Sequence, residues 1–358
     1  MRHNRHQPYS SRILKQSRLL KTLQIRQLGG HSMELSGIHH ITAITADARE
    51  NFHFYTEVLG MRLVKKTVKQ DDTSVYHLFY ADEIGRPGTD LTFFEIPKAR
   101  KRTHGTSSIS DISLRVPSDA ALSYWLERFT QFDVEHDGIA EQATRKVIHF
   151  RDPEGQRLTL VSDETNTGID GGHPWKQSKV PVKHGITGLG PCTITVGNVA
   201  ATITVLTRLL TFQQVGSYPS PIDGQDDIIV LSLDNGGTGA EIHVESRTDL
   251  PQETSGSGGV HHISLRVKDE ESLRKWKDYL DNALMPNSGL VDRFYFKSVY
   301  FREPNGILFE LATDGPGFTI DEEVDHLGEI LSLPATLEGK RKSIEAKLAP
   351  LHTDKPHD

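Results

Sequence analysis

The chain has 358 residues, of which 36% are hydrophobic and 25% charged, a composition typical of a soluble globular protein with room for two domains. No run of about 18 apolar residues occurs, so we expect no membrane partner. The first 33 residues hold seven of the 41 Arg and Lys residues and none of the 48 acids, which leaves 34 basic against 48 acidic residues, a net charge of −14, on the remainder. A body this acidic argues against nucleic acid as a partner.

The basic leader, residues 1–33, lacks the apolar stretch of about 7–15 residues that a secretory signal requires. We expect it to be an upstream extension of the reading frame, with Met33 as the more natural start, or a disordered tail; a transit peptide is the less favoured alternative. A single cysteine, Cys192, rules out an intrachain disulfide and favours a reducing, cytoplasmic location. We expect this cysteine to be a small core residue.

After the leader the chain repeats one pattern four times: a strand, a helix and three further strands. The first copy opens with GIHHITAIT (37–45), and its helix places Phe52, Tyr55 and Leu59 on one face and stops at Gly60. Strand-like runs MRLVKKTV, VYHLFYAD and TDLTFFEI complete this copy. The third copy opens with LGPCTITVGN and continues with DDIIVLSL and AEIHVES.

The second and fourth copies are near duplicates of each other. They open with SISDISLRV (108–116) and GVHHISLRV (259–267) and end with FRDPEGQRLTLVSD (150–163) and FREPNGILFELATD (301–314). In both, the serine before Leu-Arg-Val and the phenylalanine that opens the last segment lie 37 positions apart, a register that chance does not keep. Their helices present apolar faces at Leu122, Trp125, Leu126 and Phe129, and at Leu273, Trp276 and Leu280.

These copies predict an α+β fold of four βαβββ modules paired into two domains. Modules one and two form an N-terminal domain, 34–163, and modules three and four a C-terminal domain, 188–315. The Gly- and Pro-rich stretch 164–187 joins them as a linker. The remaining segment, 316–358, is a tail whose amphipathic helix, carrying Leu337, Arg341, Ile344 and Leu348, packs back on the body.

The two HH pairs lie in first strands, where alternation sorts them. His262, Ser264 and Arg266 share one face, while His261 falls on the other face with the core residues; the same parity places His40 beside Thr42. In the last strand of module four, Glu310 projects opposite an apolar face, where an unpaired carboxylate is costly to bury.

Two imidazoles and one carboxylate form the facial set of ligands used by non-haem Fe(II) oxygenases. A single buried histidine is more often a hydrogen-bonded core residue, and a single strand glutamate is usually exposed. The repeat favours the metal hypothesis, because His40 and His262 occupy equivalent positions and Glu310 completes the set. The other two modules offer Asp111 and Pro191 there.

Four stretches together resemble the vicinal oxygen chelate superfamily, which includes glyoxalase I, bleomycin-resistance proteins and type I extradiol dioxygenases. They are GIHHITAIT, LGMRLVKKTVKQDD with YHLFYADEIGRPGTDLTFFE, GVHHISLRV, and YFREPNGILFELATDGPGF. More narrowly, they look like ring-cleaving dioxygenases acting on hydroquinones, and the resemblance covers the chain from about Glu34 into the tail.

The resemblance implies an Fe(II) enzyme, with Mn(II) as an alternative metal, whose partners are a small aromatic substrate and O2; a homo-oligomer is left open. Carried over by position, the iron ligands fall on His40, His262 and Glu310, and the neighbouring functional positions fall on His39, Thr42, His261, Arg293 and Tyr300. Arg293 would hold an anionic oxygen, Tyr300 and His261 would exchange protons with ring hydroxyls, and Thr42 and His39 would orient a ligand or the substrate.

Two other functions stay open at this point. A glyoxalase-type Zn(II) or Ni(II) isomerase or lyase would need a fourth protein ligand, for which Glu95 is the candidate, although a structural role for it is favoured. A metal-free aromatic- or drug-binding protein is the non-enzymatic alternative. His77 is predicted with equal weight to line a pocket or to be structural, and Lys65 and Lys66 are expected to be solvated.

The four positions that match the metal site between modules two and three are Asp111, Thr159, Pro191 and His243. Proline has no side-chain donor atom for a metal, so this second cup is expected to be silent.

Overall fold

The computed structural model describes residues 33–353, so the predictions for residues 1–32 lie outside the described part of the chain. Modules one and two each fold as predicted. Module one consists of β1 (Ile38–Thr45), α1 (Ala48–His53), β2 (Arg62–Lys69), β3 (Asp72–Ala81) and β4 (Asp90–Glu95). Module two consists of β5 (Ser108–Val116), α2 (Asp119–Gln131), β6 (Ala140–Gln142), β7 (Arg145–Arg151) and β8 (Arg157–Ser162).

Modules three and four repeat the same order of elements. Module three consists of β9 (Gly188–Val196), α3 (Val199–Thr204), β10 (Gln213–Tyr218), β11 (Ile228–Ser232) and β12 (Glu241–Ser246). Module four consists of β13 (Gly259–Val267), α4 (Glu270–Asn282), β14 (Val291–Asp292), β15 (Phe296–Arg302) and β16 (Leu308–Pro316). Short 3₁₀ turns occur at Val182–His184, Thr238–Ala240, Phe318–Ile320 and Val324–His326.

Each module helix begins at a capping side chain. Asp47, Ser118, Asn198 and Asp269 accept hydrogen bonds from backbone N–H groups of the first turn, and each such cap contributes about 1 kcal/mol. Helices α1 and α3 both continue into a π-helical turn, Phe54–Val58 and Val205–Leu209, whereas α2 and α4 are both regular helices of 13 residues. The shared irregularity in alternate modules is a further trace of the duplication.

Two eight-stranded sheets form, and each takes one module from each half of the chain. Their strand orders are β14-β15-β16-β13-β1-β4-β3-β2 and β10-β11-β12-β9-β5-β8-β7-β6. Modules one and four therefore share the first sheet, and modules two and three share the second. The predicted sequential domains, 34–163 and 188–315, do not coincide with the two sheets, and their boundaries stay predictions.

The core lies between helices and sheets, as the apolar faces predicted. Trp125 and Phe129 of α2 are fully buried, and Trp276 and Leu280 of α4 are buried to 1% exposure or less. Cys192 is also fully buried, in the core. In the described residues 33–353, no helix is long and apolar enough to cross a membrane.

The tail packs against β2, and this overturns the expectation that two lysines are solvated. Lys65 is fully buried, with its Nζ 2.7 Å from Asp321 Oδ1 and in contact with Glu322. Lys66, 7% exposed, donates from Nζ to the Leu351 carbonyl at 3.1 Å and to Thr353 Oγ1 at 2.7 Å. Their partners lie more than 250 positions away in sequence, where local pattern gives no hint of them.

The predicted tail helix is in fact two short helices, α5 (Ala335–Glu338) and α6 (Arg341–Glu345), interrupted at Gly339 and Lys340. Ile344 and Leu348 are buried, as predicted.

Candidate metal centre

The register of the two central strands brings the HH pairs together. Strands β1 and β13 run antiparallel, with Thr42 opposite His262 and His40 opposite Ser264. Strand β16 lies parallel to β13 and sets Glu310 beside Ser264. One histidine from module one therefore meets a histidine and a glutamate from module four at the middle of the sheet.

His40, His262 and Glu310 converge on one point. The Nε2 atoms of the two histidines are 3.2 Å apart and lie 3.0 Å (His40) and 2.8 Å (His262) from Glu310 Oε2. The three side chains are at most 4% exposed. Two cis ligand atoms about 2.1 Å from a metal at a right angle are separated by about 3.0 Å, which matches this spacing.

The chemistry of these atoms also fits a cation. Both carboxylate oxygens of the buried Glu310 lack a hydrogen-bond donor, even though the two imidazole nitrogens are close to one of them. Three electron-rich atoms facing one another in the interior are unfavourable unless a positive charge lies between them. Among residues 33–353 this is the one group of three His, Cys, Asp or Glu ligand atoms that lie close enough to share an ion.

His39 fixes the tautomer of His40. His39 Nε2 lies 3.1 Å from the carbonyl of Thr313 and must donate to it, because a carbonyl only accepts. Burial, with His40 nearby, lowers the pKa of His39 to about 3, so its ring is neutral and its Nδ1 carries a lone pair. That nitrogen lies 2.9 Å from His40 Nδ1, which therefore donates. His40 is left with a lone pair on Nε2, the nitrogen that faces Glu310.

The second pair repeats this contact. His261 Nδ1 lies 2.8 Å from His262 Nδ1, and burial, with His262 second, lowers the pKa of His261 to about 3. When His262 presents its Nε2 lone pair to a metal, its Nδ1–H donates to His261, which keeps a proton on its own Nε2.

Strict alternation placed His261 on the core face, and this is wrong. The β1–β13 pairing skips His39 between Ile38 and His40, and skips His261 between Val260 and His262, so both residues occupy β-bulges. A bulge adds one unpaired residue and turns its side chain. The bulged histidines thus reach their ligand neighbours, and His261 borders the cavity beside the centre.

Thr42 connects the centre to His77 through a second threonine. Thr42 Oγ1 lies 3.1 Å from His262 Nε2 and 2.8 Å from Thr92 Oγ1, which lies 3.0 Å from His77 Nε2. Thr42 pairs with Thr92 as Ser264 pairs with Glu310, so Thr92 occupies the position equivalent to Glu310. A threonine therefore stands where a fourth acidic ligand would be.

Glu95, the sequence candidate for that ligand, lies elsewhere. Its Oε1 accepts the backbone N–H of Ala48 at 3.1 Å, at the start of α1. This contact at the start of α1 is consistent with the structural role that was favoured for Glu95.

A cavity of about 220 Å³ adjoins His40 and His262. Its walls are largely aromatic, formed by Phe79, Phe94, Phe296, His77, Tyr295 and Tyr300. Burial lowers the pKa of His77 well below its usual range, so this ring is neutral. His77 therefore lines the pocket and also hydrogen-bonds to the wall, so both of its predicted roles are present.

Arg293 and Tyr300 stand together at this cavity. Tyr300 lies directly opposite Glu310 in the β15–β16 pairing, and the Nε of Arg293 donates to its hydroxyl at 3.0 Å. Arg293 also reaches Asp71 of module one, with Nη1 3.3 Å from Oδ2. Burial, followed by the charge of Glu310, raises the pKa of Tyr300, so its hydroxyl stays protonated. The pattern gave no reason to single out Lys69, Asp71 and Phe296, which also line the cavity.

The residues of the second cup do not converge. Thr159 donates to Asp111 Oδ1 at 2.9 Å, and His243 lies between Tyr218, 3.0 Å from its Nδ1, and Glu241, 3.4 Å from its Nε2. Pro191 stands at the position equivalent to His40.

The fold and the site define the class of protein. The family sequence model described as the Glyoxalase/Bleomycin resistance protein/Dioxygenase superfamily matches this chain twice, at residues 37–160 and 188–311. The chain belongs to this superfamily, as its resemblance implied.

Individual relatives are more specific. The chain is 50% identical over 319 residues to the Bacillus subtilis protein MhqA, provisionally named a ring-cleaving dioxygenase, covering 89% of this chain and all of MhqA. It is 29% identical over 316 residues to the chlorohydroquinone/hydroquinone 1,2-dioxygenase of Sphingobium indicum, covering 87% and 95% of the two chains. A crystal structure of a provisionally named B. subtilis dioxygenase superposes with a TM-score of 0.81 at 33% identity and covers 90% of this chain and 100% of its own.

Proposed function

We propose that this protein is an Fe(II)-dependent ring-cleaving dioxygenase that inserts both atoms of O2 into a hydroquinone- or catechol-type ring. The observation that carries the proposal is the convergence of His40, His262 and Glu310 beside a cavity with aromatic walls. Two neutral imidazoles and one carboxylate leave up to three positions of an octahedral ion open, the arrangement found in non-haem Fe(II) oxygenases. The names of the relatives support the same reaction class.

Iron bound there would supply the redox chemistry and a template on which substrate and O2 meet. The protein's own residues supply position and proton traffic. His39 orients His40 by accepting from its Nδ1–H, and His261 serves His262 in the same way. The aromatic walls, which include Phe79, Phe94 and Phe296, would hold a flat ring and exclude water from it.

Three polar groups line the same cavity. Arg293 brings a permanent positive charge and can hold a deprotonated ring oxygen by a charge-assisted hydrogen bond. Tyr300 is fixed by Arg293 and offers its hydroxyl to the substrate. His77 is held by Thr92 and can exchange a proton with a ring hydroxyl.

The glyoxalase-type alternative is less well supported, because the position that would hold its fourth protein ligand is Thr92, and Glu95 is used by α1. The metal-free alternative leaves the buried carboxylate of Glu310 with His40 and His262 as its only close ion-pair partners in the described part of the chain, at 3.0 and 2.8 Å.

A single anaerobic experiment separates the three functions. Purified protein is loaded with Fe(II), mixed with methylhydroquinone or chlorohydroquinone, and then exposed to air-saturated buffer while O2 is measured. Uptake of one O2 per substrate, with both atoms of ¹⁸O2 in the ring-opened product, is the expected result. Isomerisation of a hemithioacetal by the Ni(II)- or Zn(II)-loaded protein without O2 uptake would establish the glyoxalase alternative, and aromatic binding without any metal would establish the third.

A further inference from the structure

The second sheet encloses a cavity that the proposed reaction does not use. Its volume is about 500 Å³, against about 220 Å³ at the metal centre. It occupies the matching place in the duplicated fold, since Asp111 stands where His262 stands and Ser110 takes the bulged position of His261. We call it the second cup.

Asp111, Thr159 and His149, at one end of the second cup, hydrogen-bond to one another. Asp111 Oδ1 accepts from the hydroxyl of Thr159 at 2.9 Å. A threonine hydroxyl has one proton, so its oxygen accepts from His149 Nδ1, which is also 2.9 Å away. In a neutral His149 ring this leaves a lone pair on Nε2, and Asp111 keeps its second oxygen for a ligand. These groups present acceptors to the cavity.

The hydroxyl of Tyr218, which borders the cavity, has its donor used by residues behind the cavity wall. Glu241, held by two 2.7 Å hydrogen bonds from Arg145, accepts from His243 Nε2 at 3.4 Å. The remaining lone pair of a neutral His243 ring then accepts from the hydroxyl of Tyr218 at 3.0 Å. The hydroxyl of Tyr218 thus donates to His243 and not into the cavity, to which Tyr218 presents its aromatic ring.

The charge of the lining is negative. Five carboxylates border the cavity (Asp111, Glu135, Asp137, Glu141 and Glu245), against two arginines, Arg151 and Arg157. Arg151 is paired with Glu135 at 3.1 Å, and Glu245 lies 3.7 Å from Nη1 of Arg247, which is outside the lining. Asp111, Asp137 and Glu141 therefore face one remaining arginine of the lining, Arg157. Glu245 also accepts a hydrogen bond from the hydroxyl of Thr195, so its charge is used largely within the protein. The apolar part of the lining consists of Phe150, Pro219, Pro221 and Ile228, beside Tyr218.

We propose that the second cup is a metal-free binding site for a small organic cation, an ammonium or amidinium group on a compact apolar or aromatic body. A cation with several N–H donors complements a wall of acceptors with excess negative charge, and Asp111 is its principal partner. Tyr218 adds a cation–π surface, and the apolar lining covers the body of the ligand. The site is distinct from the metal centre and does not depend on the reaction proposed there.

The test is calorimetric titration of the full-length, metal-loaded protein with benzylamine, and in parallel with benzyl alcohol, which has the same shape without the charge. Saturable binding of benzylamine, at least about tenfold tighter than any binding of benzyl alcohol, is the expected result. Asp111→Asn keeps an acceptor for Thr159 but removes the charge, and should weaken benzylamine binding by about tenfold or more.

Two control variants locate the effect. Asp137→Asn removes an equal charge at the exposed rim of the cavity and should change benzylamine affinity by less than about threefold. Glu310→Gln disrupts the metal centre and should leave the affinity for benzylamine unchanged. The proposal is overturned if benzylamine shows no saturable binding, if benzyl alcohol binds equally well, or if Asp111→Asn, folded by circular dichroism and with its normal metal content, binds benzylamine as tightly as the wild type. Loss of binding in Glu310→Gln would likewise move the ligand to the other cup and refute the assignment.

Discussion

Glu310→Gln tests the metal centre most directly, because its effect on stability should change sign with the metal. The side chain is fully buried, and neither carboxylate oxygen has a hydrogen-bond donor. In the metal-free protein, glutamine removes a buried negative charge and offers an N–H₂ donor to the imidazole nitrogens that lie 3.0 and 2.8 Å from Oε2. The free energy of unfolding of the metal-free protein should therefore stay equal or rise, by about 1–3 kcal/mol.

With metal present, the same substitution removes a charged ligand. Removing one partner of a buried ion pair costs about 3–5 kcal/mol, which corresponds to a dissociation constant for Fe(II) or Mn(II) about 10² to several times 10³ higher. The wild type should consequently gain stability when metal is added, whereas the variant should gain almost none at the same concentration.

The assay is anaerobic chemical unfolding with and without Mn(II) or Fe(II), accompanied by metal analysis of the purified protein. Glu95→Gln is the matched control: it makes the same chemical change in the same sheet, where the carboxylate only accepts from a backbone N–H, and it should retain the wild-type metal content. A Glu310→Gln protein that keeps its metal affinity within about threefold, or that is less stable than the wild type without metal, would show that the carboxylate is a structural residue and refute the reasoning.

Three further outcomes are expected. Thr92→Val removes the hydroxyl that hydrogen-bonds both Thr42 and His77. It should lower the free energy of unfolding, measured by urea titration, by about 1–2 kcal/mol and leave the metal content unchanged. Loss of metal would show that Thr92 does more than link these two residues. Lys65→Met leaves the carboxylates of Asp321 and Glu322 without their cation and should lower the free energy of unfolding by about 3 kcal/mol or more in the same titration. The control Lys176→Met, at an exposed ion pair, should lower it by less than about 1 kcal/mol. Equal losses in the two variants would mean that the contact with the tail is not stabilising. Burial raises the pKa of Asp152 from 3.8 to about 6, so protonation favours the folded state; this contribution is complete below pH 3.8 and is lost as the pH rises towards 6. Asp152→Asn should remove it, so the stability of the variant relative to the wild type should rise by roughly 3 kcal/mol between those limits, and parallel pH profiles of the two proteins would refute the assignment.

The repeat made most of the fold predictable. Modules with matched spacing determine the order of the elements, and period-2 and period-3.6 patterns locate strands and helix faces such as that of Trp125 and Trp276. How the four modules pair was less accessible, because strand neighbours such as β1 and β13 are about 220 positions apart and no local pattern encodes their register.

The candidate metal ligands were predictable where residue type and repeat position coincided, as at His40, His262 and Glu310. Side-chain orientation was not predictable where an irregularity decided it. The bulges at His39 and His261 turn both rings towards the metal centre, and a strict two-residue period cannot anticipate an inserted residue. The prediction that Lys65 is solvated failed for a related reason. A lysine is expected in solvent unless a partner distant in sequence, here Asp321, neutralises its charge.

The two cups show how a duplicated fold can support different chemistry on identical scaffolds. Each central antiparallel strand pair, together with the parallel strand on either side of it, offers four equivalent positions. They are filled by His40, His262, Glu310 and Thr92 in one cup and by Pro191, Asp111, Thr159 and His243 in the other. In the first cup a single departure from symmetry, Thr92 in place of an acid, both leaves a position free beside the cavity and carries a hydrogen bond to His77. In the second, Pro191 removes a ligand outright, and the remaining groups satisfy one another instead of an ion. Three ligand positions are compatible with an open metal site. The second cup lacks ligands at two positions, Pro191 and Thr159, and its two remaining candidates, Asp111 and His243, are used by neighbouring groups.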